Sequence, residues 1–127
     1  MAESRPVKSV RRSSCPVACT LDLLGDRWTL LIIRDLLTGK TRYGEFLTSA
    51  EGITTNILAE RLERLEAAGV ISSAAYQSNP PRYAYTLTRK GEELKSVLGA
   101  VAQWGVRHVP NVKPHALLAA YASGKAP

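Results

Sequence analysis

The chain has 127 residues, 45% of them hydrophobic and 22% charged, a composition typical of one globular domain with a real core. No apolar run approaches the roughly 18 residues that a membrane span needs, and the polar, cationic start does not resemble a secretory signal, so we expect a cytoplasmic protein without membrane contact. A formal net charge of +6 favours acidic partners, and nucleic acid first among them.

Helical periodicity dominates the first third of the chain. Residues 1–14 carry four cations against one acid and are predicted to form a basic arm. From Cys19 apolar residues recur at three- and four-residue spacing. Gly25 ends this first helix, and Asp26 is placed to cap a second one, which ends at Gly39. The second helix is apolar on nearly all sides, which predicts burial.

Two further helices follow, separated by a tight turn. A short helix is predicted over Arg42–Thr48, with Thr41 as its N-cap. After a glycine-containing turn, Thr54 or Thr55 caps a longer helix that runs to Gly69.

The period then changes from helical spacing to alternation. Strands are predicted over Val70–Tyr76 and Arg82–Thr88, joined by a turn, Gln77–Pro81, whose prolines stay outside the strand pairing. Thr88 caps a last long helix, and residues 113–127 form an Ala-rich tail.

The order of these elements predicts the fold class. A short helix joined by a tight turn to a longer one, followed at once by a hairpin, is the winged helix-turn-helix plan. We therefore predict an α+β, mainly α, fold with a two-stranded wing and a C-terminal dimerisation helix. In this plan the second helix of the pair enters the major groove of DNA, and the wing reaches a neighbouring backbone or minor groove.

The residues that occupy these elements resemble a known family. The combination is similar to the HxlR family of bacterial transcription regulators, within the wider MarR-like group, and is carried by Cys15–Val17, Leu24–Ile32, Arg42–Phe46, Leu58–Leu62, Leu65–Ile71, Pro80–Tyr83, Tyr85–Thr88 and Trp104–Gly105. The resemblance covers about Cys15 to His108, most of the chain, and places the domain at residues 15–112. It implies a homodimer that binds palindromic double-stranded operator DNA.

Candidate DNA-binding residues lie on the helix pair and the wing. Short polar side chains at the start of the longer helix suit base edges or a phosphate, and arginines suit phosphates or the minor groove; the candidates are Arg42, Thr54, Thr55, Asn56, Ala59, Arg64 and Arg82. The alternative is an ordinary amphipathic helix with a polar face, flanked by solvated arginines. The basic arm has the same two interpretations: it follows the DNA backbone, or it only keeps the chain soluble.

The last helix carries an apolar stripe with two interpretations, burial within one monomer or a dimer seam between two copies. The stripe consists of Leu94, Val97, Leu98, Val101 and Trp104. The resemblance and the two-fold symmetry of operator half-sites favour the seam.

Cys15 is a candidate sensor. It lies just ahead of a helix start and close to Arg11 and Arg12, and both features favour the reactive thiolate. Some HxlR-like proteins sense oxidants or electrophiles with a cysteine at this position, so the resemblance implies an oxidant or small-molecule effector. The alternative is a half-buried small apolar residue. Cys19 lies outside the family pattern.

The sequence offers no catalytic or metal-binding constellation. Two thiols four residues apart, with both histidines remote in sequence, make a poor zinc set, and no cofactor is predicted. No paired carboxylates or nucleophile motif is present either. The predicted function is that of a sequence-specific DNA-binding transcriptional regulator that acts as a repressor. No enzymatic activity is predicted. The alternative is a winged-helix interaction module that uses the same surfaces for protein contacts.

Overall fold

A computed structural model of the chain describes residues 12–113, which form six helices and one two-stranded antiparallel sheet. The elements in chain order are α1 (Pro16–Leu24), α2 (Thr29–Leu37), α3 (Tyr43–Phe46), α4 (Thr55–Ala67), β1 (Ile71–Ser78), β2 (Pro81–Leu87), α5 (Arg89–Glu92) and α6 (Leu94–His108). This order confirms the winged helix-turn-helix prediction. Most of the basic arm, with Arg5, Lys8 and Arg11, and the tail beyond Lys113 lie outside the described residues. None of the helices within residues 12–113 is long and apolar enough to cross a membrane.

Helix α1 begins earlier than predicted. It starts at Pro16 rather than near Cys19, with Cys15 in an extended conformation as its N-cap residue. Proline is well suited to the first helical position, because its fixed φ fits the helix and its missing N–H would have no helical acceptor there. The apolar spacing alone did not detect this first turn.

The core is built around α2, as its all-round apolarity predicts. Ile32 and Ile33 are at most 2% exposed and pack with residues of α4, β1 and α6. The buried carboxylate of Asp35 on the same helix accepts hydrogen bonds from Arg34 and from Ser49 Oγ, at 2.9 and 2.5 Å. A buried charge needs such partners, and the bond from Ser49 also connects α2 to the turn between α3 and α4.

The helix pair forms as predicted, but α3 is shorter than predicted at both ends. Helix α3 covers only Tyr43–Phe46, and its N-cap is Arg42 rather than Thr41. The reason is Glu45, whose carboxylate accepts from the backbone N–H groups of Thr41 and Arg42 at 2.8 and 3.1 Å. Helix α4 begins as predicted, with Thr54 Oγ1 accepting from the backbone N–H of Ile57 at 3.4 Å.

The hairpin forms as predicted but is longer at its tip. Pro81 pairs with Ser78 and opens β2, so the prediction that the turn prolines stay outside the ladder is wrong for Pro81. Proline is tolerated at the first residue of a strand because no inner ladder bond is lost there. The register shifts between Ala75 and Gln77, which leaves Tyr76 as an irregularity in β1.

The predicted last helix is two helices. Thr88 Oγ1 caps the short α5 by accepting from the backbone N–H of Gly91 at 3.2 Å, and a single residue, Glu93, separates α5 from α6. Gly91 is fully packed: a Cβ there would lie 2.1 Å from the carbonyl oxygen of Val70. This close approach packs α5 against Val70, the residue that precedes β1.

Candidate nucleic-acid interface

The exposed first turn of α4 forms the centre of the candidate interface. Thr54, Thr55 and Asn56 are all exposed to solvent. Tyr43 on α3 holds this end of the helix, because its hydroxyl donates a 2.7 Å hydrogen bond to the carbonyl oxygen of Thr55. The tight turn therefore presents the helix N-terminus outward, where its free N–H groups favour an anion.

Further along α4 the solvent-facing side is acidic. Ala59, Glu60 and Glu63 are exposed, on the opposite side from the buried leucines. Glu60 is paired with Arg61, which reduces its repulsion of phosphate. The first turn thus combines solvent exposure with the partial positive charge of a helix N-terminus.

Arg64, predicted as a DNA contact, donates its hydrogen bonds to the protein itself. Its Nη2 atom lies 3.1 Å from Asp26 Oδ1 and 3.3 Å from the carbonyl oxygen of Leu23. The side chain lies against the junction of α1 and α2, because its position on the helix wheel is at the edge of the core-facing side. We therefore leave Arg64 out of the proposed interface.

The prediction that Asp26 is the cap of α2 is wrong, because the N-cap residue is Trp28, two residues further along the chain. The Asp26 carboxylate accepts from the backbone N–H of Trp28 at 3.0 Å, from Thr29 Oγ1 and from Arg61 Nε. Burial raises the pKa of Asp26, but the hydrogen bonds from Thr29, Arg61 and Trp28 outweigh it and hold that pKa well below its usual range. The carboxylate is therefore ionised at every pH at which the protein would act.

The wing and α3 enclose a basic, aromatic groove of about 450 Å³ beside the first turn of α4. Its wall is formed largely by tyrosines, together with Arg82 at the tip of the hairpin; the tyrosines are Tyr43, Tyr76, Tyr83 and Tyr85. Arg42 lies over the ring of Tyr76 at 3.9 Å from its centroid, in a cation–π contact. Arg42 and Arg82, both predicted from the sequence, are exposed. Arg82 lines the groove, and Arg42 borders it through its contact with Tyr76. Sequence reasoning missed the tyrosines, although aromatic residues interleaved with arginines on a hairpin were a visible signal.

Both cysteines lie near the start of α1. Cys15 is exposed, as the sensor hypothesis requires, and its backbone N–H donates to Ser13 Oγ at 2.9 Å. Arg12, expected beside this thiol, instead donates to Asp22 Oδ1 at 2.7 Å. Cys19 is half-buried, with Sγ 3.2 Å from the carbonyl oxygen of Ser13. Within residues 12–113 no cluster of three or more ligating side chains could hold a metal ion.

Exposed apolar side chains also lie on α1 and α6. The predicted seam divides in two: Leu98 is 5% exposed and belongs to the core, and Leu94 packs against it. Val97, Val101 and Trp104 remain exposed, together with Val17 and Leu21 on α1. We call the five exposed residues the apolar face.

A helix pair that presents the start of its second helix, with a basic hairpin at its side, defines a winged helix-turn-helix protein of the DNA-binding class. The sequence model of the family described as HxlR-like helix-turn-helix matches residues 23–113. Among relatives, the protein named as the HTH-type transcriptional regulator sll1512 of Synechocystis sp. is 38% identical over 91 residues, which cover 72% of this chain and 67% of that protein.

Solved structures agree with this assignment. The crystal structure of PA1607, a candidate transcription factor, is 42% identical with a TM-score of 0.71 and covers 80% of this chain and 72% of its own. The redox regulator HypR in its oxidized form is 33% identical with a TM-score of 0.67, covering 74% and 97%. The chain therefore belongs to the HxlR-like helix-turn-helix family. It is a DNA-binding transcriptional regulator and not an enzyme, as its sequence predicts.

Proposed function

We propose that the protein acts as a homodimer in the cytoplasm and represses transcription by binding a palindromic operator. The single observation that carries this proposal is the exposed first turn of α4, held by Tyr43 beside a groove that is lined by Arg82 and by Tyr76, whose ring Arg42 covers. One surface thus combines a helix end suited to base edges with cations suited to phosphates.

The division of labour follows from the side chains. Asn56 carries both a donor and an acceptor, and with Thr55 it would contact bases in the major groove, while Ala59 offers apolar contact to a thymine methyl. Thr54 is the N-cap residue of α4, and its backbone would lie near a phosphate. Arg82 at the wing tip would enter the minor groove or bind its edge.

Arg42 would bind a phosphate between the major-groove helix and the wing. Its position over the ring of Tyr76 fixes the guanidinium beside the groove and leaves it exposed. These arginines would supply the salt-dependent, sequence-independent part of the affinity.

We place the domain at residues 15–112 and propose that the apolar face is its dimer interface. Trp104 is 63% exposed and Val101 is 52% exposed, although both are large apolar side chains. Large apolar side chains left exposed in this way favour an interaction site. A two-fold partner would cover it and would place two copies of α4 on successive operator half-sites.

Regulation through Cys15 is the effector mechanism that we propose. The thiol is exposed at the N-cap of α1, the helix that carries Val17 and Leu21 of the apolar face. The relative HypR is named a redox regulator. An oxidant or electrophile that modifies Cys15 would change the packing of α1 in the dimer and so the spacing of the two reading helices.

The test is binding to a duplex that the protein selects from a random pool, compared with unselected duplex, by fluorescence anisotropy. We expect the selected site to bind at least about 1,000-fold more tightly, with affinity falling steeply as salt rises. Asn56→Ala should reduce this discrimination, whereas Arg82→Ala should weaken both duplexes and reduce the salt dependence. Cys15→Ser should abolish release by oxidant.

A protein-interaction module would give a different pattern. It would bind selected and unselected duplex equally, or neither at low salt. Either result would refute the regulator proposal. Oxidant-induced release that persists in Cys15→Ser would refute the sensor proposal alone.

A further inference from the structure

Asp26 connects the recognition helix α4 to the turn between α1 and α2. Its Oδ2 atom lies 2.8 Å from Arg61 Nε, and its Oδ1 atom lies 3.1 Å from Arg64 Nη2. One carboxylate therefore binds both arginines of a helix that carries no other cation. We propose that Asp26 is a specificity-determining positioning residue, which keeps Arg61 and Arg64 away from DNA phosphates and fixes the orientation of α4; this inference rests on the proposed operator binding.

The contacts around Asp26 form one connected cluster. Arg64 Nη2 also lies 3.2 Å from Thr29 Oγ1 and 3.3 Å from the carbonyl oxygen of Leu23, the residue before the last in α1. Thr29 is fully buried and is the first residue of α2. The C-terminal end of α1, the start of α2 and the second half of α4 thus meet at one carboxylate, and these contacts hold α4 in one rotation about its own axis.

The two arginines differ from surface cations in their accessibility. Only 20% of the Arg61 side chain and 38% of the Arg64 side chain are exposed. Arg64 Nε is buried and makes no hydrogen bond within the described part of the chain. An arginine that donates to a half-buried carboxylate must break a charge-assisted contact before it can reach a phosphate.

This arrangement has a consequence for the choice of DNA sequence. Cations near the backbone raise the affinity for every sequence, because they act through phosphates that all duplexes share. With Arg61 and Arg64 bound to Asp26, the exposed side of α4 presents Glu60 and Glu63. Random DNA is then attracted weakly by the reading helix, and the base contacts of its first turn decide the affinity.

The test is Asp26→Asn, which keeps the shape of the side chain and removes its charge. The matched control is Glu92→Gln, because it changes net charge equally but breaks only an exposed pair with Lys95 on α5 and α6. Both are compared with the full-length parent protein by circular dichroism and by anisotropy on the selected and unselected duplexes.

We expect Asp26→Asn to bind unselected duplex about 3- to 10-fold more tightly at low salt. The affinity should also fall more steeply with salt, by the amount that one or two additional phosphate contacts would give. The preference for the selected duplex should fall by about 10-fold or more. A purely structural role would instead lower both affinities together with stability, and that result would overturn the proposal, as would behaviour identical to the control.

A second set of variants tests whether Asp26 acts through the arginines. Adding Arg61→Gln and Arg64→Gln to Asp26→Asn should return the affinity for unselected duplex to the parental value. If Asp26→Asn does not fold, Arg61→Gln with Arg64→Gln in the parent is decisive. Unchanged affinity for unselected duplex would support masked arginines, and a fall of about 10-fold, as expected for two lost phosphate contacts, would overturn the proposal. A parent protein without any sequence preference would refute the proposed function itself, which is a distinguishable result.

Discussion

Trp104 provides the sharpest test of the proposed dimer. Its ring lies near that of His108, at 4.9 Å between centroids, but 63% of the residue remains exposed. A tryptophan offers up to about 250 Å² for burial, so roughly 150 Å² per copy is available to a partner. At about 25 cal/mol per Å², covering both copies would contribute about 8 kcal/mol, an upper limit because association has its own entropic cost.

We therefore expect Trp104→Ala to weaken dimerisation by at least about 100-fold, equivalent to about 2.7 kcal/mol. Sedimentation equilibrium over a range of concentrations measures this directly. Leu98→Ala is the contrasting variant, because Leu98 is 5% exposed and its loss should lower the free energy of unfolding by about 2–5 kcal/mol. A parent protein that is monomeric at micromolar concentration, or a Trp104→Ala variant with an unchanged dissociation constant, would refute the reasoning.

Three other predictions follow from single contacts. Gly91→Ala should lower the free energy of unfolding by about 1–3 kcal/mol or more, because its Cβ would lie 2.1 Å from the carbonyl oxygen of Val70; Gly105→Ala, with nothing within 4 Å of its Cβ, should not lower it, and thermal denaturation compares the two. Tyr43→Phe should lose about 0.5–1.5 kcal/mol through its hydrogen bond to the backbone of α4, measured by urea denaturation. The pKa of Asp26 is lowered on folding. Its carboxylate therefore stabilises the fold above the unfolded pKa of about 3.9, and this stabilisation is lost as pH falls through the folded value. The difference in unfolding free energy between the parent and Asp26→Asn should shrink below about pH 4, and a constant difference down to pH 2 would contradict the prediction.

Local signals explain how much of the helix-turn-helix the sequence predicts. Thr54 can cap α4 whatever the rest of the chain does, because the N-cap bond is made within one turn. The change from helical to alternating periodicity after Gly69 marks the wing. A glycine suits this position, because Gly69 has a φ of 77° that few other residues adopt. The boundaries that were missed, at Pro16 and at Glu93, depend on a proline position and on a break that apolar spacing does not report.

The candidate interface was predicted less completely than the fold. The sequence places Asn56 and Arg82 on the correct elements, because each lies next to a recognisable helix start or turn. It cannot show that Arg64 lies against Asp26, since the two are 38 residues apart and meet only when α4 packs across the junction of α1 and α2. The groove beside Tyr76 is likewise formed by elements distant in sequence.

Amino-acid order thus determined the elements, the family and the polar start of the recognition helix, because caps, periodicity and motifs are local properties of the chain. Tertiary packing decided what each side chain on those elements does. Leu98 and Val101 belong to one apolar stripe in the sequence, yet the first lies in the core and the second on the surface. Packing against α2 can cover only part of this stripe, and the position of α6 against α2 decides which of its residues are buried. Packing likewise decides which cations behind the +6 net charge are accessible. The two arginines of α4 bind Asp26, while Arg42 and Arg82 beside the wing remain exposed to a partner.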